Sequence, residues 1–446
     1  MLKTFHKGGI HPPEYKLTAG FPIKSIPASE EYMVALSQHI GAPATCCVNV
    51  GDHVAKYQLI GTEQGFVSAN VHSPVSGTVK KIEKIKTAFG FETTAVIIRR
   101  EGDDIALRNP RTQETIAQLT ADEIVKIIDA AGIVGLGGAT FPTRVKLLPP
   151  KGTEVDTLVI NGAECEPFLT NDHELMLTYP EQVIEGTRLL QRAINAQKAV
   201  IAIEENKRDA IKALTEAASG YDDVEIATLK TKYPQGGEKQ LIDATLNRQI
   251  PSGGLPASVG VVVQNVATAY AVWNAVVNDI PLTERIVTVT GPNVSLPGNY
   301  MVPIGTPLSA VIEAAGGIPD NTAKVILGGP MMGKAASNLN APTTKGVSGI
   351  LILPDTMSKR EEPENCVRCA SCVSVCPMGL EPYLLARLSE LKNYERLEQE
   401  HVMDCIECGS CSFICISHRP ILDYIRIGKM RTGAIIKSRK SDNNKK

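Results

Sequence analysis

The sequence predicts a multidomain protein in which an α/β domain with a parallel sheet is flanked by small β domains and followed by a cysteine-rich helical domain. Three observations support this fold class. The chain has 446 residues, enough for about three or four domains of ordinary size. Strand and helix patterns alternate between residues 121 and 280, which is typical of a parallel sheet covered on both faces. Eight of the eleven cysteines fall in two short runs after residue 365.

The composition is that of an ordinary water-soluble globular protein, with 43% hydrophobic residues, 21% charged residues and a net charge of −2. No nucleic acid is expected as a partner, because no domain is basic and aromatic residues make up only 4%. The apolar stretch 259–277 contains Gln264, Asn265, Thr268 and Asn274. It therefore predicts a buried strand followed by a helix, and no transmembrane segment is expected.

Residues 40–100 are predicted to form short strands separated by turns. Two segments, VNVGDHVAKYQLIG and HSPVSGTVKKI, resemble the opening and closing halves of a biotinyl- or lipoyl-type barrel-sandwich hybrid domain. In carrier domains of that fold, an exposed hairpin presents the lysine that holds the prosthetic group. The turn here has no such lysine motif, so residues 1–115 are interpreted as a scaffold domain.

Residues 116–280 are predicted to form the α/β domain. The predicted strands are Thr157–Ile160, Ala199–Ile203, Val224–Leu229 and Val259–Val263, and the predicted helices are Ala121–Ala131, Pro180–Asn195, Lys207–Ser219, Gly237–Arg248 and Val266–Asn278. Ligands bind at the carboxyl ends of the strands in such sheets.

The rest of the chain divides into a β-rich region, a cysteine-rich domain and a tail. Residues 281–353 are β-rich with one short helix, Leu308–Ala315. A charged linker leads into the cysteine-rich domain, residues 354–430, where Leu384–Glu400 is predicted to be helical and separates the two cysteine runs. The basic residues 431–446 are predicted to be a solvated, disordered tail.

The cysteine runs share one spacing, Cys366-x2-Cys369-x2-Cys372-x3-Cys376 and Cys405-x2-Cys408-x2-Cys411-x3-Cys415. This spacing binds a cubane [4Fe–4S] cluster, and in two-cluster ferredoxins the fourth cysteine of each run ligates the other cluster. One cluster is thus predicted on Cys366, Cys369, Cys372 and Cys415, and the other on Cys405, Cys408, Cys411 and Cys376. The second run has Ile416 where the motif has proline, which is not a ligand. Two clusters indicate a protein that transfers electrons.

Disulfide bonds and zinc are weaker interpretations of these cysteines. Disulfides persist in oxidising compartments, and the opening MLKTFHKGGIHPPEY lacks the apolar core of a secretory signal peptide. Zinc sites usually contain two CxxC pairs separated by a longer loop. The remaining cysteines, Cys46, Cys47 and Cys165, are interpreted as reduced thiols.

A glycine-rich loop, residues 132–143, is the best candidate for a cofactor site. It has four glycines in seven residues, which let the backbone approach a ligand and direct N–H groups toward an anion. It is not the dinucleotide fingerprint G-x-G-x-x-G, since Thr140 occupies the last glycine position and a helix precedes the loop. By itself, the loop is explained about equally well as a tight turn.

Three predicted strands end in polar segments that would meet at the same edge of the sheet. These segments are Asn161–Pro167, Tyr233–Lys239 and Gln264–Thr268. The last of them places polar groups at a helix N-terminus, which suits a phosphate. The loop and the three strand ends together predict one binding site.

These segments, GxxGxGGATFPTxxK, NGAECEP, KYPQGGEK and QNVATA, resemble the flavin- and NADH-binding subunit of respiratory complex I. The C subunits of the Rnf (or Rsx) electron-transport complex are the closer resemblance, which extends from GGIHPPEYK at the N-terminus through the two cysteine runs. It implies a barrel-sandwich hybrid domain, a Rossmann-like flavin domain, an SLBB-type β-grasp domain and a ferredoxin-like domain with two [4Fe–4S] clusters.

The resemblance also implies residue roles. FMN would be held by Gly135, Gly137, Gly138, Lys146, Asn161, Glu164, Cys165, Gln264, Asn265 and Thr268, with Gly236 and Gly237 as further cofactor-binding residues. NAD(H) would be held by Phe141, Glu166, Tyr233 and Glu238. Two positions depart from complex I, which has serine at Cys165 and arginine at Gly137. No catalytic acid or base is expected, because hydride transfer is the chemistry of the cofactor.

The implied function is hydride exchange between NAD(H) and FMN, followed by single-electron transfer through the clusters. The expected partners are the other Rnf subunits, with ferredoxin as an indirect partner. The expected location is the cytoplasmic face of the membrane, as a peripheral subunit of an ion-translocating complex. Two alternatives are a soluble flavin and iron–sulfur reductase for a cobalamin enzyme, and an electron conduit without flavin.

Overall fold

The computed structural model describes residues 2–150 and 152–443, which form two compact units. The larger unit consists of Glu14–Thr228 and Pro256–Ser358, apart from residue 151. The smaller unit combines residues 2–13, Leu229–Leu255 and 359–443. The cysteine-rich domain is thus packed with two segments from elsewhere in the chain, which the sequence did not predict.

The larger unit begins with short strands, as predicted. They are β1 (Lys24–Ser25), β2 (Glu31–Ala35), β3 (Thr45–Cys46), β4 (His53–Val54), β5 (Leu59–Thr62), β6 (Val71–His72), β7 (Gly77–Lys86) and β8 (Glu92–Arg100). Two antiparallel sheets, β2-β8-β7-β4 and β3-β5-β6, are formed. Both sheets contribute to one apolar core, with Val34, Val79 and Ile98 from the first and Ile60 and Val71 from the second.

The α/β domain follows the predicted alternation closely. Its elements are α1 (Gln113–Gln118), α2 (Ala121–Ala130), α3 (Thr143–Leu147), β9 (Thr157–Asn161), α4 (Asn171–Thr178), α5 (Pro180–Ala193), β10 (Lys198–Glu204), α6 (Arg208–Ala217), β11 (Val224–Leu229), α7 (Glu238–Leu246), β12 (Val261–Asn265) and α8 (Val266–Asn278). The strand order is β11-β10-β9-β12, and β9 pairs in parallel with β10 and β12.

Two details of this domain differ from the prediction. Strand β12 begins at Val261, because Pro256–Val259 forms a 3-10 turn, so Gln264 and Asn265 close the strand. Helix α4 was not predicted. Its first four residues, Asn171–Glu174, are polar yet buried, and without an apolar stripe the helical period is invisible in the sequence.

The β-rich region forms a mixed sheet. It contains β13 (Glu284–Thr290), β14 (Gly298–Pro303), α9 (Leu308–Ala314), β15 (Thr322–Leu327), β16 (Lys334–Ala335) and β17 (Gly349–Pro354), followed by α10 (Asp355–Ser358). The strand order is β1-β14-β13-β17-β15-β16, so the N-terminal strand β1 completes this sheet. Helix α9 packs Leu308, Val311 and Ile312 into its core.

The cysteine-rich domain contains α11 (Ser371–Ser374), α12 (Pro382–Glu390), α13 (Tyr394–Gln399), α14 (Ser410–Phe413) and α15 (Ile421–Asn443). The segment Leu384–Glu400 is largely helical, as predicted, but it is divided into α12 and α13 by a break between them. Lys392 has a left-handed backbone with φ 54°, and the Asn393 side chain caps α13 by accepting from the Arg396 N–H at 3.1 Å.

The disordered tail is a wrong prediction for the described residues, because α15 continues to Asn443. The first turns of α15 bury Ile421 and Ile425 in the core of the domain. Further along, Arg439 donates to Glu398 at 2.7 Å. A helix anchored at its start propagates readily through residues of good helix propensity. Residues 444–446 lie outside the described residues.

Over the ranges 2–150 and 152–443, no helix has the length and apolar character needed to cross a membrane. The stretch 259–277 forms β12 and α8, as predicted.

A buried lysine joins three parts of the larger unit. The Lys345 Nζ donates to the carbonyls of Asn70 and Gly132 at 2.8 and 2.7 Å, and the Lys345 N–H donates to Gln38 at 3.0 Å. These partners belong to the first β domain and to the turn after α2. Burial lowers the pKa of Lys345 to about 7, because an interior of low dielectric disfavours the charged form.

We expect Lys345 to make stability depend on pH. The unfolded chain keeps the proton up to a pKa of about 10.4, whereas the folded chain loses it near pH 7. The unfolded state thus binds more protons between these values, and stability should rise with pH by up to about 1.4 kcal/mol per pH unit. The measurement is the thermal midpoint from pH 7 to 9 for the wild type and for Lys345→Met, which should lose this slope. Lys334→Met is the matched exposed control, and an unchanged slope in Lys345→Met would contradict the assignment.

Close packing of α5 on α8 gives a second prediction. A Cβ on Gly186 would overlap the carbonyl of Ala269, so Gly186→Ala should push the helices apart and cost about 1–3 kcal/mol. The control is Gly220→Ala, where a Cβ meets no atom within 4 Å. Thermal unfolding of both variants is the measurement, and equal midpoints would show that the helix contact is not tight.

Candidate cofactor sites

The glycine-rich loop connects α2 to α3 and bends over the start of α8. The Gly135 N–H donates to the Phe141 carbonyl at 2.8 Å, and the Leu136 N–H donates to Thr268 Oγ1 at 3.0 Å. A Cβ on Gly137 would lie 3.3 Å from the Asn265 Cβ, a tight contact from which the Asn265 side chain would have to shift slightly. Gly138 has a left-handed φ of 119° and open space beside it. The loop therefore exposes backbone next to a helix N-terminus, where an anion binds favourably.

Two buried basic side chains, Lys345 and Arg285, bind backbone carbonyls of the glycine-rich loop. Lys345 donates to the carbonyl of Gly132, and Arg285 Nη2 donates to the carbonyl of Leu136 at 3.2 Å. Arg285 Nη1 also donates to the Lys345 carbonyl. Both residues come from the β-rich region, more than 140 positions after the loop. No local sequence signal identifies them, because their contacts arise only in the tertiary structure.

The ends of β9 and β12 place their polar residues side by side. Asn161 and Asn265 are register partners in the parallel pair. The Asn265 Oδ1 caps α8 by accepting from the Ala267 N–H at 2.8 Å, and its Nδ2 donates to Asp172 at 2.7 Å. Burial raises the pKa of Asp172 to about 7, with repulsion from Glu164 as the next cause.

Gln264 carries an unpaired donor at this edge. Its side chain is 3% exposed, and among the described residues no hydrogen-bond acceptor contacts its Nε2. A buried unpaired donor costs about 1–3 kcal/mol, so natural proteins usually satisfy such groups. Because Gln264 precedes the N-terminus of α8, a hydrogen-bond acceptor of a ligand bound there would be a suitable partner for the Gln264 Nε2. This observation and the open backbone at Gly138 fit a flavin phosphate group.

The loop after β9 is shaped by Lys16. Its Nζ donates to the carbonyls of Glu164, Glu166 and Leu169 at 2.9, 2.9 and 2.7 Å. Glu164 has a left-handed φ of 46°, and its carboxylate accepts from the Asp172 N–H at 2.7 Å, at the start of α4. Lys16 lies in the N-terminal segment that carries the family resemblance, but its spacing predicts no role.

Glu166 faces the loop between β15 and β16. Its carboxylate accepts from the N–H groups of Met331 and Met332 at 3.1 and 2.8 Å. Burial raises the pKa of Glu166 to about 7. A side chain on Gly329 would collide with this carboxylate. The loop 328–333 thus belongs to the surroundings of a predicted NAD(H) residue, which the sequence did not indicate.

The predicted residues fall into two groups. The larger unit holds Gly135, Gly137, Gly138, Phe141, Lys146, Asn161, Glu164, Cys165, Glu166, Gln264, Asn265 and Thr268, and here the Lys146 Nζ donates to the Val263 carbonyl at 3.2 Å. The smaller unit holds Tyr233, Gly236, Gly237 and Glu238. Tyr233 is buried there, and its hydroxyl donates to the Cys408 carbonyl at 2.7 Å. Its contact with NAD(H) stays a prediction.

The cysteines form no disulfide in the part of the chain that the structure describes. Four of them line one mostly apolar cavity together with residues such as Leu380 and Ile425, and these four are Cys376, Cys405, Cys408 and Cys411. They are the set predicted for one cluster, including the cysteine exchanged from the first run.

Within each of the two predicted cysteine sets, neighbouring thiolates raise the pKa of at least one member. Burial raises the pKa of Cys405 to about 11, and the Cys408 and Cys376 thiolates contribute to the rise. Burial also raises the pKa of Cys372, with contributions from Cys415 and Cys366. Neighbouring thiolates repel one another unless a metal centre binds them, so both groups fit the chemistry of a cluster.

Four family models match the chain in order. They are the RnfC barrel sandwich hybrid domain over residues 3–103, the Nuo51 FMN-binding domain over 128–274, the SLBB domain over 286–335 and the 4Fe-4S dicluster domain over 358–416. The order of these domains is the one predicted from the sequence.

Relatives match along nearly the whole chain. The C subunit of the Na(+)-translocating ferredoxin:NAD(+) oxidoreductase complex of Acetobacterium woodii is 43% identical, covering 95% of this chain and 96% of the relative. The C subunit of the proton-translocating ferredoxin:NAD(+) oxidoreductase complex of Clostridium ljungdahlii is 42% identical, covering 97% and 95%. The C subunit of the ion-translocating oxidoreductase complex of Haemophilus influenzae is 39% identical, covering 98% of this chain and 66% of the relative.

Solved structures give a more distant likeness. A chain of an NAD+-reducing [NiFe]-hydrogenase in the H2-reduced state is 22% identical, with 70% of this chain and 63% of that chain covered and a TM-score of 0.48. The identities to the C subunits are far higher and extend over nearly the full length of this chain. As the motifs predicted, the chain therefore belongs to the family of C subunits of ion-translocating ferredoxin:NAD(+) oxidoreductase (Rnf) complexes.

Proposed function

We propose that this chain is the subunit through which a ferredoxin:NAD(+) oxidoreductase complex exchanges electrons with NAD(H). The observation that carries the proposal is the unpaired Gln264 donor, which directly precedes Asn265, the residue packed against Gly137, and lies within the match to the FMN-binding domain. The relatives that share this architecture are subunits of ferredoxin:NAD(+) oxidoreductase complexes. Family membership argues against the cobalamin reductase alternative.

The larger unit supplies the residues that would hold FMN. The open backbone at Gly138 leaves room for the group, and Gln264 offers it a hydrogen bond. Lys345 and Arg285 keep the loop carbonyls engaged, so the loop does not have to reorganise on binding. When bound, FMN supplies hydride exchange with NAD(H) and single-electron exchange with iron–sulfur centres.

The same edge supplies candidates for holding NAD(H). Phe141 closes the glycine-rich loop, and Glu166 lies against the loop 328–333. We infer that these two residues orient the dinucleotide beside the flavin. The two cysteine sets would each hold one [4Fe–4S] cluster. The other subunits of the complex are the partners, ferredoxin is the indirect electron partner, and the cytoplasmic face of the membrane is the proposed location.

The first test is cofactor content. After anaerobic purification and reconstitution, we expect FMN near one per chain and about eight irons. Addition of NADH should bleach the flavin and cluster absorbance during an anaerobic scan. Eight irons without flavin, and no response to NADH, would instead support the electron conduit without flavin.

The second test concerns Gln264. We expect Gln264→Leu to weaken FMN binding about tenfold or more, because a hydrogen bond from a buried group is lost. The same variant should leave the flavin-free protein as stable as the wild type or more stable, since the unpaired donor is removed. Fluorescence titration with FMN and thermal unfolding measure the two effects. Gln197→Leu, at an exposed position before β10, is the control, and equal FMN affinities would refute the role of Gln264.

A further inference from the structure

The two cysteine runs are an internal repeat, but the two halves differ in their burial and in the segments that contact them. The first set is Cys366, Cys369, Cys372 and Cys415, and the second set is Cys405, Cys408, Cys411 and Cys376. Corresponding positions of the repeat carry the same cysteine ligands, so a difference in their exposure reflects what each half contacts. Both sets lie in the smaller unit, where the comparison is direct.

The second set is covered by other segments of this chain. Cys376, Cys408 and Cys411 are each 8% exposed. The Gly9 N–H donates to the Val375 carbonyl at 2.9 Å, and a Cβ on Gly8 would lie within 2.6 Å of the Cys376 backbone.

The segment 229–255 covers the second set as well. Tyr233 donates to the Cys408 carbonyl at 2.7 Å, and the Gln240 Nε2 donates to the Pro377 carbonyl at 3.3 Å. Two segments remote in sequence therefore enclose this half of the repeat.

The first set lacks such a cover among the described residues. Cys366 and Cys369 are exposed. Val367 and Ile416, which follow Cys366 and Cys415, are 62% and 64% exposed. The Glu364 N–H donates to the Ser417 carbonyl at 3.0 Å, which holds the segments of Val367 and Ile416 next to each other.

The counterparts of these two apolar residues show the difference. In the repeat, Val367 corresponds to Ile406 and Ile416 corresponds to Pro377. Ile406 is half-buried, Pro377 is buried, and both line the cavity of the second set. The apolar residues that follow these cysteines are thus covered in the second half of the repeat and exposed in the first half.

We propose that the cluster held by the first set is the terminal centre, which exchanges electrons with a partner subunit that holds its own iron–sulfur centre. The cluster held by the second set is the internal one. This inference rests on the proposed function, which requires electrons to pass between this chain and another protein. Electron transfer between proteins needs closely spaced centres, and of the two sets only the first contains exposed cysteines, Cys366 and Cys369. Its Cys372 is buried, and the second set has none more exposed than the half-buried Cys405.

The surface formed by Val367 and Ile416 lies beside Cys366 and Cys369, two predicted cluster ligands that are exposed. The protein that covers this surface is therefore a redox protein of the complex and not a structural one. One electron passes between the cluster and the partner's centre, so one is oxidised and the other is reduced by one electron, without bond breaking or proton transfer. The partner also covers Val367 and Ile416, as apolar residues at the centre of an interface are covered.

The assignment is tested on the reconstituted wild-type chain, without an activity readout. An iron chelator is added anaerobically, the freed thiols are alkylated with iodoacetamide at successive times, and the labelled cysteines are identified by mass spectrometry. We expect iron release in two phases, with the exposed Cys366 and Cys369 labelled several-fold faster than the buried Cys376, Cys408 and Cys411, because reactivity follows exposure. Uniform labelling or the reverse order would overturn the inference. A chain that binds no iron would instead refute the proposed function.

The partner surface is tested by two substitutions, Val367→Asp and Ile416→Asp. Both leave all eight cysteines in place, so the iron content should stay as in the wild type. We expect the affinity-purified complex to retain several-fold less of each variant than of the wild-type chain. Leu391→Asp, at an equally exposed residue (59%) of the same unit, should be retained like the wild type. Full retention of Val367→Asp and Ile416→Asp would overturn the proposed contact.

Discussion

The parallel pairing of β9 with β10 and β12 is the constraint on which the candidate flavin site depends. Its register places Asn161 beside Asn265, so two strands that are about 100 residues apart in sequence end at the same level. From this edge the chain enters α8 and the loop that leads to α4, and the side chain of Asn265 bonds to the first turns of both helices. A shift in register would separate the capping amide from Asp172 and move Asn265 away from Gly137 of the glycine-rich loop.

Buried charge makes the site rigid. Lys345 and Arg285 reach from the β-rich region to the carbonyls of the loop, and Lys16 gathers three carbonyls after β9. Removing such groups from water is costly, and the cost is offset by hydrogen bonds to carbonyls that would otherwise be unpaired. The low pKa of Lys345 shows that the offset is incomplete for this residue, since burial favours the neutral amine. The β-rich region is therefore part of the support of the site and does more than pack beside it.

In the cysteine-rich unit, the two similar cysteine sets differ in burial, and this difference is the basis for assigning their functions. The repeat provides two equivalent sets of cysteines, and segments from the N-terminus and from residues 229–255 cover the second set. Tyr233 takes part in this cover through its hydroxyl. A residue predicted to contact NAD(H) thus has a structural partner in Cys408, a predicted cluster ligand, which the family resemblance did not suggest.

The sequence by itself determined the elements with a regular local signal: the cysteine spacing, the glycine-rich loop, the strands of the parallel sheet and the order of the domains. These depend on neighbouring residues, where periodicity and spacing act directly. The tertiary structure alone decided the contacts that join distant segments, such as Lys345 with Gly132, Glu166 with the loop 328–333, and Gly9 with Val375. It also decided that α4 is helical although its first residues are polar, and that α15 continues through the basic residues. The physical reason is that burial and long-range hydrogen bonds depend on which surfaces meet, and no local pattern encodes that meeting.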